Sequence, residues 1–427
     1  MRVVFLKPPF FRLVGSHNNK VPVELTYWRA FVERAGGETE LYNGDFSHSR
    51  KFWSWRTLFK RTEMYKNAVD GGQDALLFEV VESVLSLQPD CVVIPSDDCF
   101  IPAVGMDNAF VNARMSRMFR ARGIRTVGIG VMYSVDRQWD GDFDLMLAGG
   151  PNSGGAEWIM APGKKGAYYC GMWNPAVNPS IRGVMPSPME MDYSYVVGSR
   201  GCDRGCEFCY NKDVSPKVVH RPPEMVRDDI VRRMTWTGGQ RYYMTDQIFG
   251  ADMGRLEALA YLFAESPVRD CMFTVEGRAD CINRAKVDLM AKMGVRVVKL
   301  GVENVGVKFG AEMGKMQGKK QIRAAVKMLR AKGIDVAAYL MLGGDAPISE
   351  YKETLAFCKD VNFDSYVVNM LSFPKEDVGT DRHRYDAHFS VARMPEWVVT
   401  PEILQEYLKL QASAAGNPNL SFFGLGE

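Results

Sequence analysis

Three cysteines crowd into one short stretch: Cys202, Cys206 and Cys209, in Gly201-Cys202-Asp203-Arg204-Gly205-Cys206-Glu207-Phe208-Cys209-Tyr210. Few features constrain a fold as tightly. Thiolates this close can converge on one soft metal centre, and thiolate sets favour iron–sulfur clusters or zinc. A closed structural zinc site wants a fourth ligand. The nearest candidate, His220, is eleven residues on, and Cys271, Cys281 and Cys358 are singletons. Three ligands with an open fourth position are the natural reading. Zinc, or a fortuitous cluster, is the bland alternative.

Composition bounds the rest. With 427 residues, two or three domains are expected. Lys+Arg 53 against Asp+Glu 51 leaves a net charge of +2, so no nucleic-acid partner is indicated. An apolar fraction of 46% and a charged fraction of 24% fit an ordinary globular chain. No apolar run approaches the roughly 20 residues of a membrane span. The apolar stretch 3–6 before Lys7-Pro8-Pro9 is too short for a signal peptide and reads as a buried strand. A cytoplasmic, reducing location is therefore expected, with the nine cysteines free, metal-bound or catalytic.

Residues 1–150 alternate strands and helices. Strands are expected near 3–6, 40–43, 91–95, 125–131 and 144–147, which predicts an α/β fold with a parallel, Rossmann-like sheet. Residues 46–66 interleave Lys51, Arg56, Lys60, Arg61 and Lys66 with Phe52, Trp53, Trp55, Phe59 and Tyr65. That pattern reads as an amphipathic surface helix more readily than as a nucleic-acid or phosphate contact. Residues 151–191, rich in Gly and Pro, read as a connector. Across 192–380, six further strands alternate with helices, which suggests a partial parallel barrel with its chemistry at the carboxyl ends of the strands. Residues 381–427 form a C-terminal extension. Within it, Arg382, His383, Arg384 and His388 could bind an anionic substrate or act in proton transfer, but read more readily as part of a solvated loop.

The cysteine pattern, C-x3-C-x-aromatic-C with Phe208 as the aromatic, resembles the radical S-adenosylmethionine (SAM) superfamily. The resemblance implies a partial (β/α)6 barrel. It also implies that Cys202, Cys206 and Cys209 would hold a 4Fe-4S cluster whose open iron chelates SAM. One electron, from a donor such as flavodoxin or ferredoxin, would cleave SAM to a 5′-deoxyadenosyl radical. Further segments look like the family's successive strand ends: Asp246 in Met244-Thr245-Asp246, Glu276 and Arg278 in Glu276-Gly277-Arg278-Ala279-Asp280, Glu303 in Gly301-Val302-Glu303-Asn304, and Gly343 in Leu342-Gly343-Gly344-Asp345. By the same resemblance these would bind SAM. For any one of the charged residues, an ordinary barrel-mouth salt bridge is the competing reading.

A Rossmann-like domain ahead of this barrel resembles the cobalamin-binding branch of the superfamily. The Asp-x-His-x-x-Gly loop used by many cobalamin domains is missing, since neither His17 nor His48 has the flanking residues. The lower face of a bound cobalamin would then carry water, another side chain or nothing, with 96–100 and 131–134 as candidate loops. The branch implies methylation of an unactivated carbon. A non-methylating rearrangement or oxidation stands as the alternative. A methylthiotransferase and a non-enzymatic iron–sulfur scaffold are weaker readings. The substrate would be a small molecule or a peptide or protein side chain. Tyr210, Tyr339 and Tyr366 are candidate substrate contacts, with core packing the competing reading.

Overall fold

The computed structural model describes residues 1–49, 55–95, 100–101, 106–130, 141–181, 184–185, 194–209, 216–315, 317–342, 346–370, 372–374, 389–391, 403, 405–407 and 409–410. They divide into two compact units, mainly residues 1–194 and mainly residues 195–375.

The first unit is built on a seven-stranded parallel sheet. Its strands are β1 (Arg2–Lys7), β2 (Glu38–Asn43), β3 (Cys91–Pro95), β4 (Arg125–Ile129), β5 (Leu145–Ala148), β6 (Gly166–Tyr169) and β7 (Val184–Met185), in the order β6-β5-β4-β3-β1-β2-β7. The continuous apolar run Val3-Val4-Phe5-Leu6 is completely buried, as a strand covered on both faces must be. The α/β expectation is met. Two strands, β6 and β7, come from the stretch that reads as connector, where Gly and Pro mask their short runs.

From β1 the chain crosses to β2 on one side, then jumps to β3 on the other. That reversal puts the sheet's crevice at the carboxyl ends of β1 and β3. Helices cover the sheet. Helix Ala75–Leu85 begins at Asp74, whose carboxylate accepts the amides of Leu76 and Leu77, and it buries Leu77, Val80, Val81 and Val84. Helix Trp55–Val69 takes up the end of the basic aromatic stretch. There Tyr65 is buried in the core, and Arg61 donates to the Leu13 carbonyl oxygen at 3.0 Å. Structural roles therefore occupy both.

The second unit is a sheet of six strands in sequential order: β8 (Ser194–Val196), β9 (Arg241–Met244), β10 (Met272–Gly277), β11 (Val295–Glu303), β12 (Asp335–Leu342) and β13 (Ser365–Met370). The pairings from β9 to β13 are all parallel. All six strands expected from the sequence are present. Period-two alternation sorts their side chains. Tyr242, Phe273, Val275, Val298, Leu300, Ala338 and Leu340 join the core shared with the helices. Val297 and Ala337 form a separate apolar pair on the other face, the face that also carries Tyr243, Glu276, Lys299 and Tyr339. Helix Lys319–Arg330 buries Ile322, Ala325, Val326 and Leu329 at helical spacing.

Candidate active site

The cysteine loop is tied at its neck. Ser199–Arg200 pairs antiparallel with Val219–His220, and the Arg221 amide bonds the Gly198 carbonyl oxygen at 2.9 Å. Residues 201–209 and 216–218 lie between the two strands of this clasp, beyond the end of β8. Neither short strand has a visible sequence pattern, because two residues cannot show a period. Cys206 is buried, and Cys202 and Cys209 are half-buried. The Cys209 amide bonds the Cys206 carbonyl oxygen at 3.0 Å.

Burial, and then Cys209, Asp203 and Cys206 nearby, push the Cys202 thiol above its ordinary range. A bound cation reverses that bias, since metal ligation selects the thiolate. The Arg278 Nη1 donates to Cys206 Sγ at 3.4 Å, while its Nε and Nη2 grip Asp280 at 3.0 and 2.9 Å. Among the described residues, no three Cys, His, Asp or Glu side chains gather about the point one ion would occupy. A cluster asks something different: each thiolate takes its own iron. Three thiols on one tethered loop, one already receiving a guanidinium, are a donor set that fits a cluster with an open iron.

Asp246, just past β9, is buried. Its Oδ1 accepts from the Ser199 hydroxyl at 2.6 Å and its Oδ2 from the Gly198 amide at 3.2 Å. Burial raises its pKa, against the pull of Ser199 and Arg255. A cavity of about 280 Å³ joins Cys202, Ser199, His220, Asp246 and Arg255, near the low end of small-molecule clefts. Arg255 Nη2 braces its wall by donating to the Gly198 carbonyl oxygen at 2.8 Å. Burial, then Arg255, lowers the His220 pKa, so this exposed imidazole is biased towards its neutral form.

Glu303 ends β11 with φ of 56°, a left-handed conformation few non-glycine residues adopt. Its Oε1 accepts from Lys315 Nζ at 2.6 Å. Lys315 Nζ also stands 5.8 Å from the centre of the Phe208 ring. Glu276 is held by a different set of residues. It accepts from the hydroxyls of Tyr243 and Tyr339, the latter at 3.3 Å. Lys299 lies over both rings, at 4.5 and 5.3 Å. Burial, then Glu276, drives both phenols far above the ordinary range, so they stay protonated donors. Gly343, Tyr210 and residues 381–388 lie outside the described residues. Tyr366 donates to the Cys358 carbonyl oxygen at 3.1 Å, a core contact. Sequence reasoning missed Ser199, Arg255, Lys315 and Lys299. Each is an ordinary polar residue whose place depends on strand register or on the loop clasp.

In the first unit, β2 ends in a buried polar knot. Asp45 Oδ1 accepts the amides of Phe11 and Arg12 at 2.6 and 3.3 Å, and its Oδ2 makes no hydrogen bond among the described residues. Asn43 Nδ2 donates to the carbonyl oxygens of Asn18 and Lys20 at 2.8 and 3.2 Å. His17 is buried nearby in sequence, and His48 stands edge-on to Phe46 at 5.0 Å. Residues 96–99 and 131–134 lie outside the described residues.

Residues 196–358 match the family model of the radical SAM superfamily. Those residues are a radical SAM domain. The likeness of fold reaches further along the chain. A radical SAM methyltransferase, TsrM from Kitasatospora setae, solved with cobalamin and a 4Fe-4S cluster, is 14% identical. It aligns over 88% of this chain and 75% of its own with a TM-score of 0.65. OxsB, a cobalamin-dependent SAM radical enzyme solved with aqua-cobalamin and SAM, is 13% identical over 95% of this chain and 56% of its own, with a TM-score of 0.61. At such identities the likeness is one of fold. No curated protein matches the chain.

Proposed function

We propose that the protein is a cobalamin-dependent radical SAM methyltransferase acting on an unactivated carbon. One observation carries the reading. A single chain joins a parallel Rossmann-like sheet to a radical SAM barrel, in the fold of TsrM, over 88% of its length. Bound cluster, SAM and cobalamin supply the radical and the methyl group. The chain's own residues hold and orient. Cys202, Cys206 and Cys209 would ligate the cluster, with Phe208 beside Cys209 on the same loop. Asp246, held by Ser199 and Gly198, presents a carboxylate to the SAM amino group. Glu303 serves its ribose or methionyl end, while Arg278 and Gly343 support the same pocket. Glu276 keeps its tyrosine partners on the face opposite the helix-packed core, where a substrate carbon would be enclosed and water excluded. The substrate is a small molecule or a peptide or protein side chain, and the electron donor is of the flavodoxin or ferredoxin type.

The test needs no substrate at first. Protein reconstituted anaerobically with iron, sulfide and hydroxocobalamin is reduced and given SAM labelled in its methyl group. Label retained on the protein-bound corrinoid, with release of S-adenosylhomocysteine, is the expected result. The OxsB likeness over 95% of the chain supports a second reading, radical chemistry without methyl transfer. Deoxyadenosine formed with no S-adenosylhomocysteine would select it.

A further inference from the structure

After the short helix Val307–Glu312 the chain turns back towards the cysteine loop and is fastened there at several points. The Glu207 amide donates to the Met313 carbonyl oxygen at 3.0 Å. Gln317 bridges two strand ends: its Oε1 accepts the Ala279 amide at 2.7 Å and its Nε2 donates to the Gly301 carbonyl oxygen at 2.7 Å. Ala279 directly follows Arg278, the residue that donates to Cys206. Between these fastenings stands Lys315. Its side chain is 8% exposed and that of its partner Glu303 is 10% exposed. Gly301 makes room for the pair, because a Cβ there would lie 2.3 Å from Lys315 Nζ and 2.7 Å from Glu303 Oε1.

A lysine is not buried over the aromatic of a metal-binding loop without consequence. An anionic cluster on three thiolates is sensitive to fixed charge nearby, since reduction potentials of iron–sulfur centres follow net charge and sulfur hydrogen bonding. Arg278 supplies one cation, at Cys206. Lys315 supplies a second, towards Phe208, and Glu303 balances it. We infer that Lys315 is a positioning residue that fastens residues 313–315 to the cysteine loop and, with Glu303, sets the reduction potential of the cluster. This rests on the reading of Cys202, Cys206 and Cys209 as cluster ligands.

The experiment compares full-length wild type with Lys315→Met, Lys315→Arg, Glu303→Gln and the Lys315→Met/Glu303→Gln double variant. Iron and sulfide content comes first. If wild type binds no cluster, the ligand reading fails and the potential half of the inference fails with it. With the cluster loaded, a redox titration followed by electron paramagnetic resonance reads the potential. Lys315→Met should lower it and Glu303→Gln should raise it. The double variant should return near wild type, and Lys315→Arg should stay there. Unchanged potentials, or shifts of one sign in both single variants, overturn the assignment of charge. The fastening is read separately in cluster-free protein by hydrogen exchange. The Glu207 amide should exchange about tenfold faster in Lys315→Met and at the wild-type rate in Lys315→Arg. Equal rates in all three proteins overturn the positioning role. Should Lys315→Met fold, by circular dichroism, yet load no iron, loading by Lys315→Arg upholds the need for the charge. Failure of both folded variants refutes it.

Discussion

At the scale of residues, the three cysteines are legible in the sequence because their chemistry is written in spacing alone. Replacing Cys202, Cys206 and Cys209 together by alanine should abolish iron and sulfide uptake while leaving the far-ultraviolet circular dichroism unchanged. Stoichiometric zinc in wild type, with no iron after anaerobic reconstitution, would instead restore the zinc reading. Asp246 is legible only through its order behind the cysteines. Its buried carboxylate, held by the Ser199 hydroxyl and the Gly198 amide, is poised for a cationic partner. Hydrogen bonds to charged groups contribute about 1.5–3 kcal/mol. Asp246→Asn should therefore weaken SAM binding roughly tenfold to a hundredfold in equilibrium dialysis, with the cluster intact. Unchanged affinity would remove Asp246 from the SAM site. Glu276 shows the limit of such reasoning. A motif marks it as a strand-end acid, but its side-chain partners are set by β9 and β12, which no local pattern reveals.

At the scale of elements, buried strands and amphipathic helices announce themselves and two-residue clasps do not. Helix Arg284–Met293 illustrates the first kind. Asn283 caps its start by accepting the Lys286 amide, and Gly294 ends it at φ of 94°. A Cβ at Gly294 would lie 2.5 Å from the Cys271 carbonyl oxygen, a backbone atom that cannot step aside. Gly294→Ala should destabilise by more than the ~1 kcal/mol that stiffening the unfolded chain would give back, as read from urea unfolding. A smaller loss would mean that the helix end relaxes. The polar knot after β2 makes a pH prediction. Burial raises Asp45 from 3.8 to about 7, so the folded state keeps a proton that the unfolded chain releases near its ordinary value. Stability from this group is fully present below about pH 4 and is lost as pH rises towards 7, with a ceiling of about 4 kcal/mol. Asp45→Asn carries no titrating proton. The difference in unfolding midpoint between the two proteins should change between about pH 4 and pH 7. Parallel curves across that window would show that Asp45 titrates normally.

At the scale of the whole molecule, the described residues divide into two units, each with its own parallel sheet and buried apolar core. The order of strands in the first sheet is not legible in the sequence, because parallel strands buried on both faces carry no mark of their neighbours. Nor are β6 and β7, which are four and two residues long. On the proposed function the two units would make different demands on cofactors, and that difference is measurable. A ligand that binds the folded state alone stabilises it by RT ln(1 + [L]/Kd), about 2.7 kcal/mol at a hundredfold excess over Kd. Hydrogen exchange with peptide mapping separates the contributions. Reconstituting the cluster and adding SAM should slow exchange at residues 199–209 and around Asp246, where the amides of Gly198, Glu207 and Cys209 already serve the site. Hydroxocobalamin should slow it in the first unit, most strongly after β1 and β3, where the sheet reverses its order. Protection by hydroxocobalamin confined to residues 199–209, with none in the first unit, would take the Rossmann-like sheet out of the cofactor account and leave a radical SAM barrel working without it.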